Sequence, residues 1–189
     1  MQNPIARCSR AAQLLFACAA AAFSVGASAQ GSFVSIAALE RAGTDLKPGE
    51  YRLLVSFDRD EPLAIVVDIS HQLAGVYQGD QLVAVTTVST GRTGYETPVG
   101  TFHVLAKSIN HRSNLYDAPM PFTQRLTDDG VSIHAGSVTG SPASHGCIHL
   151  PTQMAKILYG ATRLGTSVTV EEGLPADPLA YSGDDDGAS

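Results

Sequence analysis

Short apolar runs, separated by turn-forming residues, constrain the fold more than any other feature of this sequence. Residues 63–69 form a β-branched run of strand length. Residues 73–77 and 82–88 flank Gln78-Gly79-Asp80-Gln81, and Gly-Asp suits a two-residue hairpin turn because glycine tolerates positive φ. Similar strand-like stretches occur at residues 101–106, 131–134 and 167–170, and one more, residues 51–57, lies in the charged segment that precedes the predicted sheet. This pattern predicts a mostly β fold whose sheet begins near Pro62.

One segment has the features of a helix. Residues 151–159 begin with proline, which is favoured at the first helical position, and Gly160 follows their end. Residues 107–130 contain Asn, Asp, Pro and aromatic residues without a period, so we expect a long surface loop there. The fold class expected from the sequence is mostly β with one or two short helices.

The first 29 residues have the layout of a secretory signal peptide. Arg7 and Arg10 precede an apolar run over residues 11–25, and Ala27-Ser28-Ala29 follows as a cleavage site. A membrane anchor is a weaker alternative, because the run is shorter than the roughly 20 apolar residues that a spanning helix needs. Acylation at Cys18 is weaker too, because few residues separate it from Arg10. We expect export and a mature chain that begins at residue 30.

Removal of that segment changes the charge and the cysteine content. The chain has 12 basic and 18 acidic residues; without Arg7 and Arg10 it has 10 basic residues and a net charge of −8. Such a negative chain disfavours nucleic acid as a partner. Cys8 and Cys18 leave as well, so Cys147 has no intramolecular disulfide partner. A lone thiol in an exported protein is a candidate reactive residue, and a buried cysteine that packs as a small hydrophobe is the alternative.

Three of the six histidines surround this cysteine, in Ile133-His134-Ala135-Gly136 and Ser144-His145-Gly146-Cys147-Ile148-His149. A free thiol has a pKa of about 8.5 and needs a neighbouring base to become a competent nucleophile. His134 ends a predicted strand, and a chain that turns back after it can pair its side chain with Cys147. The small residues Ser144 and Gly146 leave room for a peptide carbonyl and for main-chain N–H groups that face an oxyanion.

The same residues allow a zinc site as an alternative. His134, His145, Cys147 and His149 are typical zinc ligands, and an extended segment would place residues 145, 147 and 149 on one face. On the residues alone, a Cys–His catalytic pair and a metal site both stay open. The remaining histidines are interpreted as surface or structural residues: His71, His103 and His111.

A histidine followed, after a loop, by Ser-His-Gly-Cys resembles the L,D-transpeptidase catalytic domain. Here these residues are His134 and Ser144-His145-Gly146-Cys147. The resemblance covers residues 62–171, and it is specific because several motifs combine. The further motifs that resemble the family, in chain order, are the strand pair over residues 65–88, Ser89-Thr90-Gly91, Thr97-Pro98-Val99-Gly100-Thr101-Phe102 and Met120-Pro121-Phe122.

The resemblance implies an L,D-transpeptidase-like β-sandwich or barrel with a thioacyl mechanism on peptidoglycan stem peptides. Cys147 would be the nucleophile and His134 its base, steadied by the carbonyl of Ala135. Neither a metal nor another cofactor is expected, since the family uses the thiol without a metal. Positioning of substrate and oxyanion would fall to residues of the motif itself: Ser144, His145 and Gly146. Substrate contacts are expected from four further side chains: Tyr116, Met120, Phe122 and His149.

Two positions depart from the usual family pattern. Arginine commonly follows Gly-Cys-Ile, whereas here His149 does, and a histidine is charged only part of the time near neutral pH. Substrate preference or rate is therefore expected to differ. Ala135 stands where Gly or Ser commonly follows the first histidine, which is a mild change if only its carbonyl matters.

The expected organisation is a signal peptide over residues 1–29, a lead-in segment over 30–61, the catalytic domain over 62–171 and a disordered acidic tail over 172–189. The expected partners are peptidoglycan stem peptides and, as one acyl acceptor, an outer-membrane lipoprotein, in the periplasm or cell-wall space. No membrane span is expected after removal of the signal. Two alternatives stay open: a hydrolase on the same fold, and a non-catalytic wall-binding module with a Cys/His zinc site.

Overall fold

The computed structural model describes residues 36–58 and 60–173. The predicted signal peptide and residues 174–189 of the predicted tail lie outside the described residues. Within the described part, no helix has the length and apolar character needed to cross a bilayer. The helices are α1 (Ile36–Gly43) and α2 (Thr152–Ala161). The strands are β1 (Tyr51–Leu53), β2 (Leu63–Asp68), β3 (Leu73–Gln78), β4 (Gln81–Thr87), β5 (Gly100–His103), β6 (Ala106–Arg112), β7 (Pro119–Arg125), β8 (Ser132–Ala135), β9 (Ile148–Leu150) and β10 (Ser167–Glu171).

The strands form two sheets. The first has the order β1-β4-β3-β2-β10-β5, and the second has the order β6-β7-β8-β9. The β2–β10 and β8–β9 pairs are parallel, whereas the other neighbours are antiparallel. One cluster of buried side chains contains residues from both sheets and from α2. The expected mostly β fold with short helices is confirmed.

The core lies between the two sheets. In β2, alternate residues Leu63, Ile65 and Val67 face this core, and each is at most 8% exposed. Full burial of such a side chain stabilises the fold by about 1.5–3 kcal/mol. From the second sheet, Ile133 and Ile148 lie side by side in the same core. The hydrophobic core therefore fixes the two strands that carry the predicted catalytic motifs.

Residues that precede the predicted domain also join the fold. β1 pairs antiparallel with β4 at the edge of the first sheet. α1 packs against β3 and β4, where Leu39 is buried against Leu73 and Val85. The sheet therefore begins at Tyr51 rather than near Pro62. The strand-like stretch over residues 51–57 was assigned to the lead-in segment, but its first three residues form β1, a short and largely exposed edge strand.

Residues 107–130 do not form the expected surface loop. β6 and β7 pair into an antiparallel hairpin, and residues 113–118 form its tip. The prediction was wrong because β6 is exposed over much of its length, so its sequence lacks the apolar–polar alternation of a half-buried strand. The two-residue turn at Gly79-Asp80 between β3 and β4 is confirmed, with Gly79 at φ +55°.

The predicted helix is confirmed as α2, which runs past Gly160 to Ala161. Pro151 precedes its first turn. At the other end, the main-chain N–H and the hydroxyl of Thr162 both donate to the carbonyl of Leu158 at 2.9 Å. α2 packs against β7 and β8 and so supports the second sheet.

Candidate active site

Two adjacent parallel strands bring the cysteine and histidine motifs together. β8 pairs with β9 so that His134 lies opposite His149, and Ile133 lies opposite Ile148. Because side chains alternate along a strand, the isoleucines enter the core while the histidines project from the other face. Cys147 immediately precedes β9 and is two residues from His149, so its side chain lies on the histidine face, diagonal to His134. The predicted Cys–His pair shares one surface of the second sheet.

The thiol of Cys147 is partly buried and is held in its neutral form. Its S–H donates to the carbonyl of Gly130 over 3.9 Å, which is a weak contact. Burial raises the pKa of the Cys147 thiol above its ordinary value, and a main-chain hydrogen bond from Ser132 acts in the opposite direction. The thiol therefore needs a base at the moment of attack.

His134 has the protonation state of such a base. It is 6% exposed, and its Nδ1–H donates to the carbonyl of Ala135 at 2.9 Å. This bond fixes the tautomer and leaves the Nε2 lone pair to accept a proton. Burial lowers the pKa of His134 to about 4; the Ala135 carbonyl opposes the shift, whereas His149 and His111 add to it. At neutral pH the ring is an uncharged imidazole, as general base catalysis requires.

His149 is firmly positioned but carries no charge at neutral pH. Its Nδ1–H donates to the carbonyl of Ser137 at 3.1 Å, and its ring centroid lies 4.8 Å from that of His134. Gly136 is packed against this ring, since a Cβ there would lie 2.7 Å from it. Burial lowers the pKa of His149, the Ser137 carbonyl opposes this shift, and His145 adds to it. His149 is therefore a neutral hydrogen-bonding group and does not replace the charge of an arginine.

Hydrogen bonds set the shape of residues 144–147, which are called the nucleophile loop because they contain the predicted nucleophile Cys147. Gly146 has a φ of +107°, a conformation that favours glycine, and its N–H donates to Ser144 Oγ at 3.1 Å. The Ser144 hydroxyl donates to the carbonyl of Cys147, and Thr97 Oγ1 donates to the carbonyl of Gly146 at 2.9 Å. Ser144 is buried beneath the cleft rather than lining it. The Gly146 N–H, which we expected to face the oxyanion, is engaged within the loop.

The motif Ser89-Thr90-Gly91, which closely follows β4, fastens this loop to the first sheet. Ser89 forms an isolated bridge with His149, and Gly91 forms one with Ser144. Between them, the Thr90 carbonyl accepts the Ser144 N–H at 2.9 Å. The motif therefore sets the position of the nucleophile loop from the neighbouring sheet.

Cys147, His134 and His149 line a cleft of about 850 Å³. Residues of the β6–β7 hairpin form part of its wall. Phe122 does not line it, contrary to the expectation of substrate contact; its ring packs against Tyr159 of α2 with centroids 6.0 Å apart. The φ of +58° at Phe122 breaks the alternation that would have aligned it with Met120. The predicted site residues that line the cleft are Tyr116, Met120, His134, Ala135, His145, Gly146, Cys147 and His149.

Sequence reasoning missed several residues of the cleft. His111, interpreted as a surface or structural residue, lies opposite Met120 in the hairpin and lines the cleft. Recognition of the hairpin would have placed it beside the predicted Met120. Tyr95 and Glu96 line the cleft as well, and a hydrogen bond from the Gly94 N–H lowers the pKa of Glu96 and keeps it ionised.

The geometry of the described residues gives no support to zinc at Cys147. In residues 36–58 and 60–173, three or more potential ligand atoms lie within 4.8 Å of one another in one group, Glu40, Asp68 and His71. Cys147 and the histidines of the cleft belong to no such group. Within the group, His71 Nδ1–H donates to Asp68 Oδ2 at 2.7 Å, and Glu40 Oε1 lies 3.4 Å from the same nitrogen, so His71 forms an ion pair with each carboxylate between α1 and the end of β2.

Known proteins are similar to this chain in sequence and in fold. L,D-transpeptidase 1 of Mycobacterium tuberculosis is 25% identical over 144 residues, which cover 67% of this chain and 57% of that protein. A probable L,D-transpeptidase 3 of the same organism is 30% identical over 105 residues, which cover 47% of this chain and 39% of that protein. Among solved structures, an L,D-transpeptidase from Mycobacterium smegmatis aligns with a TM-score of 0.56 and 25% identity over 59% of each chain.

A match to the family itself accompanies these pairwise similarities. The chain spans less than two thirds of the length of the relatives named above. Residues 62–170, more than half of the chain, match the L,D-transpeptidase catalytic domain. This range includes Cys147 and the neighbouring histidines His134, His145 and His149. The chain therefore belongs to the L,D-transpeptidase catalytic-domain family.

Proposed function

We propose that this protein is an exported, cysteine-dependent L,D-transpeptidase that acts on peptidoglycan stem peptides. The proposal rests on two observations: β8, which carries His134, pairs with β9, which begins one residue after Cys147, and both side chains line a cleft of about 850 Å³. Family membership supports the reaction class. The neutral thiol and the neutral imidazole support a mechanism in which proton transfer accompanies attack.

In the first half-reaction, Cys147 Sγ attacks the carbonyl carbon that precedes the terminal D-residue of the donor peptide. The thiol proton moves to His134 Nε2 as the S–C bond forms. The main-chain N–H of Cys147 faces the oxyanion, since that of Gly146 is engaged by Ser144. The C–N bond then breaks, His134 returns the proton to the leaving nitrogen, and D-alanine departs from a thioester.

In the second half-reaction, the amine of an acceptor attacks the thioester carbonyl. A C–N bond forms, the C–S bond breaks, and His134 relays one proton from the amine to the sulfur of Cys147. The two half-reactions need no group other than the side chains of Cys147 and His134, the donor peptide and the acceptor amine. Water in place of the amine would give hydrolysis of the same thioester, so access of the acceptor decides between the two reactions.

The cleft suits a substrate that presents many peptide groups. Its described lining contains no lysine or arginine, while four histidines line it, His111, His134, His145 and His149. The imidazoles of His134 and His149, whose pKa values are lowered by burial, can donate to and accept from peptide groups without imposing a charge. Glu96 and Asp129, which also line the cleft, attract the ammonium group of an arriving acceptor.

We place the reaction in the periplasm or cell-wall space, where peptidoglycan lies. The layout of residues 1–29 supports export. A neighbouring stem peptide, an outer-membrane lipoprotein and a free D-amino acid each offer an amine that could accept the acyl group.

Intact-protein mass spectrometry with a carbapenem tests the activated thiol. The wild-type protein should gain one carbapenem, and Cys147→Ser should gain none, because the β-lactam carbonyl takes the place of the donor carbonyl. His134→Gln should acylate roughly 100-fold or more slowly, in line with the loss of a general base. A folded, reduced wild-type protein that gains no adduct, or an equal adduct on Cys147→Ser, would reject the proposal.

A defined stem tetrapeptide then identifies the acceptor. Release of D-alanine with a cross-linked product that depends on the added amine supports transpeptidation. Release that gives only the shortened peptide, whatever amine is present, supports the hydrolase instead. A protein that neither releases D-alanine nor reacts with a carbapenem would favour a wall-binding module.

A further inference from the structure

Arg92 and His145 form a pair at the edge of the cleft that the catalytic steps above do not use. Arg92 donates Nη2–H to Nε2 of His145 at 2.7 Å. Its main-chain N–H and its Nη1–H both donate to the carbonyl of Ser144, at 3.1 and 3.3 Å. One arginine therefore contacts both the ring of His145 and the peptide group that precedes it.

Two tyrosines contact the His145 ring and restrict its orientation. Tyr95 meets the ring edge-on, with centroids 4.8 Å apart, and Tyr116 lies 4.4 Å away at a tilt of 34°. The Arg92 guanidinium lies 4.4 Å from the Tyr95 centroid, within the range of a cation–π contact. His145 lines the cleft, whereas Arg92 does not. The ring is thus oriented by a cation that stands outside the cleft.

The chemistry of the guanidinium decides where the proton of His145 lies. Arginine has N–H donors only and remains protonated in proteins, so the nitrogen that faces it must be an acceptor. The single proton of the neutral His145 ring is then on Nδ1, since a proton on Nε2 would set N–H against N–H. Among residues 36–58 and 60–173, none forms a hydrogen bond with Nδ1, which leaves this donor for a ligand in the cleft.

We propose that Arg92 is a positioning residue that fixes His145 as its Nδ1–H tautomer, so that the ring donates to a carbonyl or carboxylate oxygen of a bound peptide. The inference rests on the proposed function for the identity of that peptide. It divides the roles of the two rings: His134 presents an acceptor at Nε2, and His145 presents a donor at Nδ1. His145 is thereby excluded as a second general base through Nε2.

Nitrogen-15 NMR of the purified, labelled enzyme tests the tautomer without any substrate. The His145 signals are assigned by their loss in His145→Gln. In the wild type, Nδ1 should have the chemical shift of a protonated nitrogen and Nε2 that of an unprotonated one. An Nε2–H tautomer, or an averaged mixture of the two, would overturn the proposal. This readout is independent of whether the enzyme transfers acyl groups.

Substitution of Arg92 tests whether its guanidinium selects the tautomer of His145. Arg92→Met keeps much of the apolar length but removes the donors, and it should shift His145 toward a mixture of tautomers. Arg92→Lys keeps a donor and should restore part of the wild-type spectrum. The matched control is Arg125→Met, which removes an arginine that contacts Asp128 and Thr127 away from His145, and it should leave the His145 signals unchanged.

Kinetics with the stem tetrapeptide complete the test. Arg92→Met should lower kcat/KM roughly 3- to 10-fold, the effect of one hydrogen bond, and mainly through KM. Arg92→Lys should recover part of this loss, while Arg125→Met should match the wild type. A loss of activity in Arg92→Met with an unchanged His145 spectrum would refute the tautomer mechanism. Failure of carbapenem acylation in the wild type would reject the proposed function but leave the NMR result to decide the Arg92–His145 relationship.

Discussion

His134 and His149 lie opposite each other on β8 and β9, and each donates its Nδ1–H to a main-chain carbonyl, that of Ala135 and that of Ser137. Both bonds select the same tautomer. Burial lowers the pKa of both rings and raises the pKa of the Cys147 thiol. The thiol and the two imidazoles are therefore neutral in the free protein, which suits the proposed mechanism, in which proton transfer accompanies attack.

Alkylation of Cys147 by iodoacetamide is expected to follow the raised pKa of its thiol. The rate should be low near neutral pH and rise as the solution becomes alkaline, because the thiolate is the reactive form. Mass spectrometry over a pH series measures the rate, with Cys147→Ser as the blank and free cysteine as the reference. Reactivity that persists on a plateau in mildly acidic solution would instead reveal a standing thiolate–imidazolium pair.

Acylation by a carbapenem should continue to a lower pH than it would if the base were a histidine of ordinary pKa. His134 has a pKa of about 4 instead of 6.5 because it is desolvated, so its neutral form persists as the pH falls toward 4. The second-order acylation rate, measured over pH at constant ionic strength, should lose activity on an acid limb near pH 4. A limb near 6.5 would show that His134 is solvated in the working enzyme.

Gly91→Ala is expected to dislodge the nucleophile loop. A Cβ at Gly91 would lie 1.9 Å from the carbonyl oxygen of Tyr95 and 2.7 Å from the nitrogen of Thr97, and these main-chain atoms cannot rotate away. The free energy of unfolding should fall by about 3 kcal/mol or more, and acylation should be lost. Chemical denaturation measures the first effect and carbapenem labelling the second.

Gly160→Ala is the matched control for this substitution. Gly160 lies inside α2 with nothing within 4 Å of the added Cβ. Alanine is the better helix former, so this variant should be more stable by about 0.5–1 kcal/mol and should acylate as the wild type does. Equal behaviour of the two alanine variants would contradict the steric argument at Gly91.

His71 is expected to stabilise the fold in a pH-dependent manner. Its hydrogen bond with Asp68 raises its pKa above 6.5, burial opposes the shift, and the charges of Asp68 and Glu40 add to it. A raised folded pKa gives stability that is fully present below 6.5 and is lost as the pH rises through the folded pKa.

His71→Gln should therefore lower the free energy of unfolding at about pH 5.5 more than at about pH 9. The difference should stay below about 1 kcal/mol, because half of the His71 side chain is exposed and the ion pair is screened. Urea titrations at the two pH values measure it. A greater loss at the alkaline pH would be inconsistent with the raised pKa.

The sequence predicted those parts of the molecule whose signals are local. The β-branched run that becomes β2 and the turn at Gly79-Asp80 follow from the pattern of neighbouring residues. Cys147 and His134 stand out because reactive residue types cluster around a lone thiol, and their common face follows once β8 and β9 pair. The roles of these two residues remain predictions.

The parts that escaped prediction depend on contacts between distant residues or on exposed strands. Arg92 and His145 are 53 residues apart, and no periodic pattern in the sequence indicates a hydrogen bond between residues so distant. β6 is largely exposed, so it lacks the alternation by which a half-buried strand is recognised, and the place of His111 in the cleft was missed with it. Phe122 was misplaced because a left-handed φ at one residue reverses the order of faces along β7.

The bridges from Ser89 and Gly91 to the nucleophile loop mean that the two walls of the cleft are built from separate stretches of chain. One wall takes its register from the first sheet, and the other is the β6–β7 hairpin, whose tip belongs to neither sheet's core. Changes in the hairpin tip therefore leave the bridges that hold the Cys147 loop intact, but they alter the contact of Tyr116 with the His145 ring. Redesign of the tip is then expected to act through the cleft wall and the His145 ring rather than through the position of the thiol.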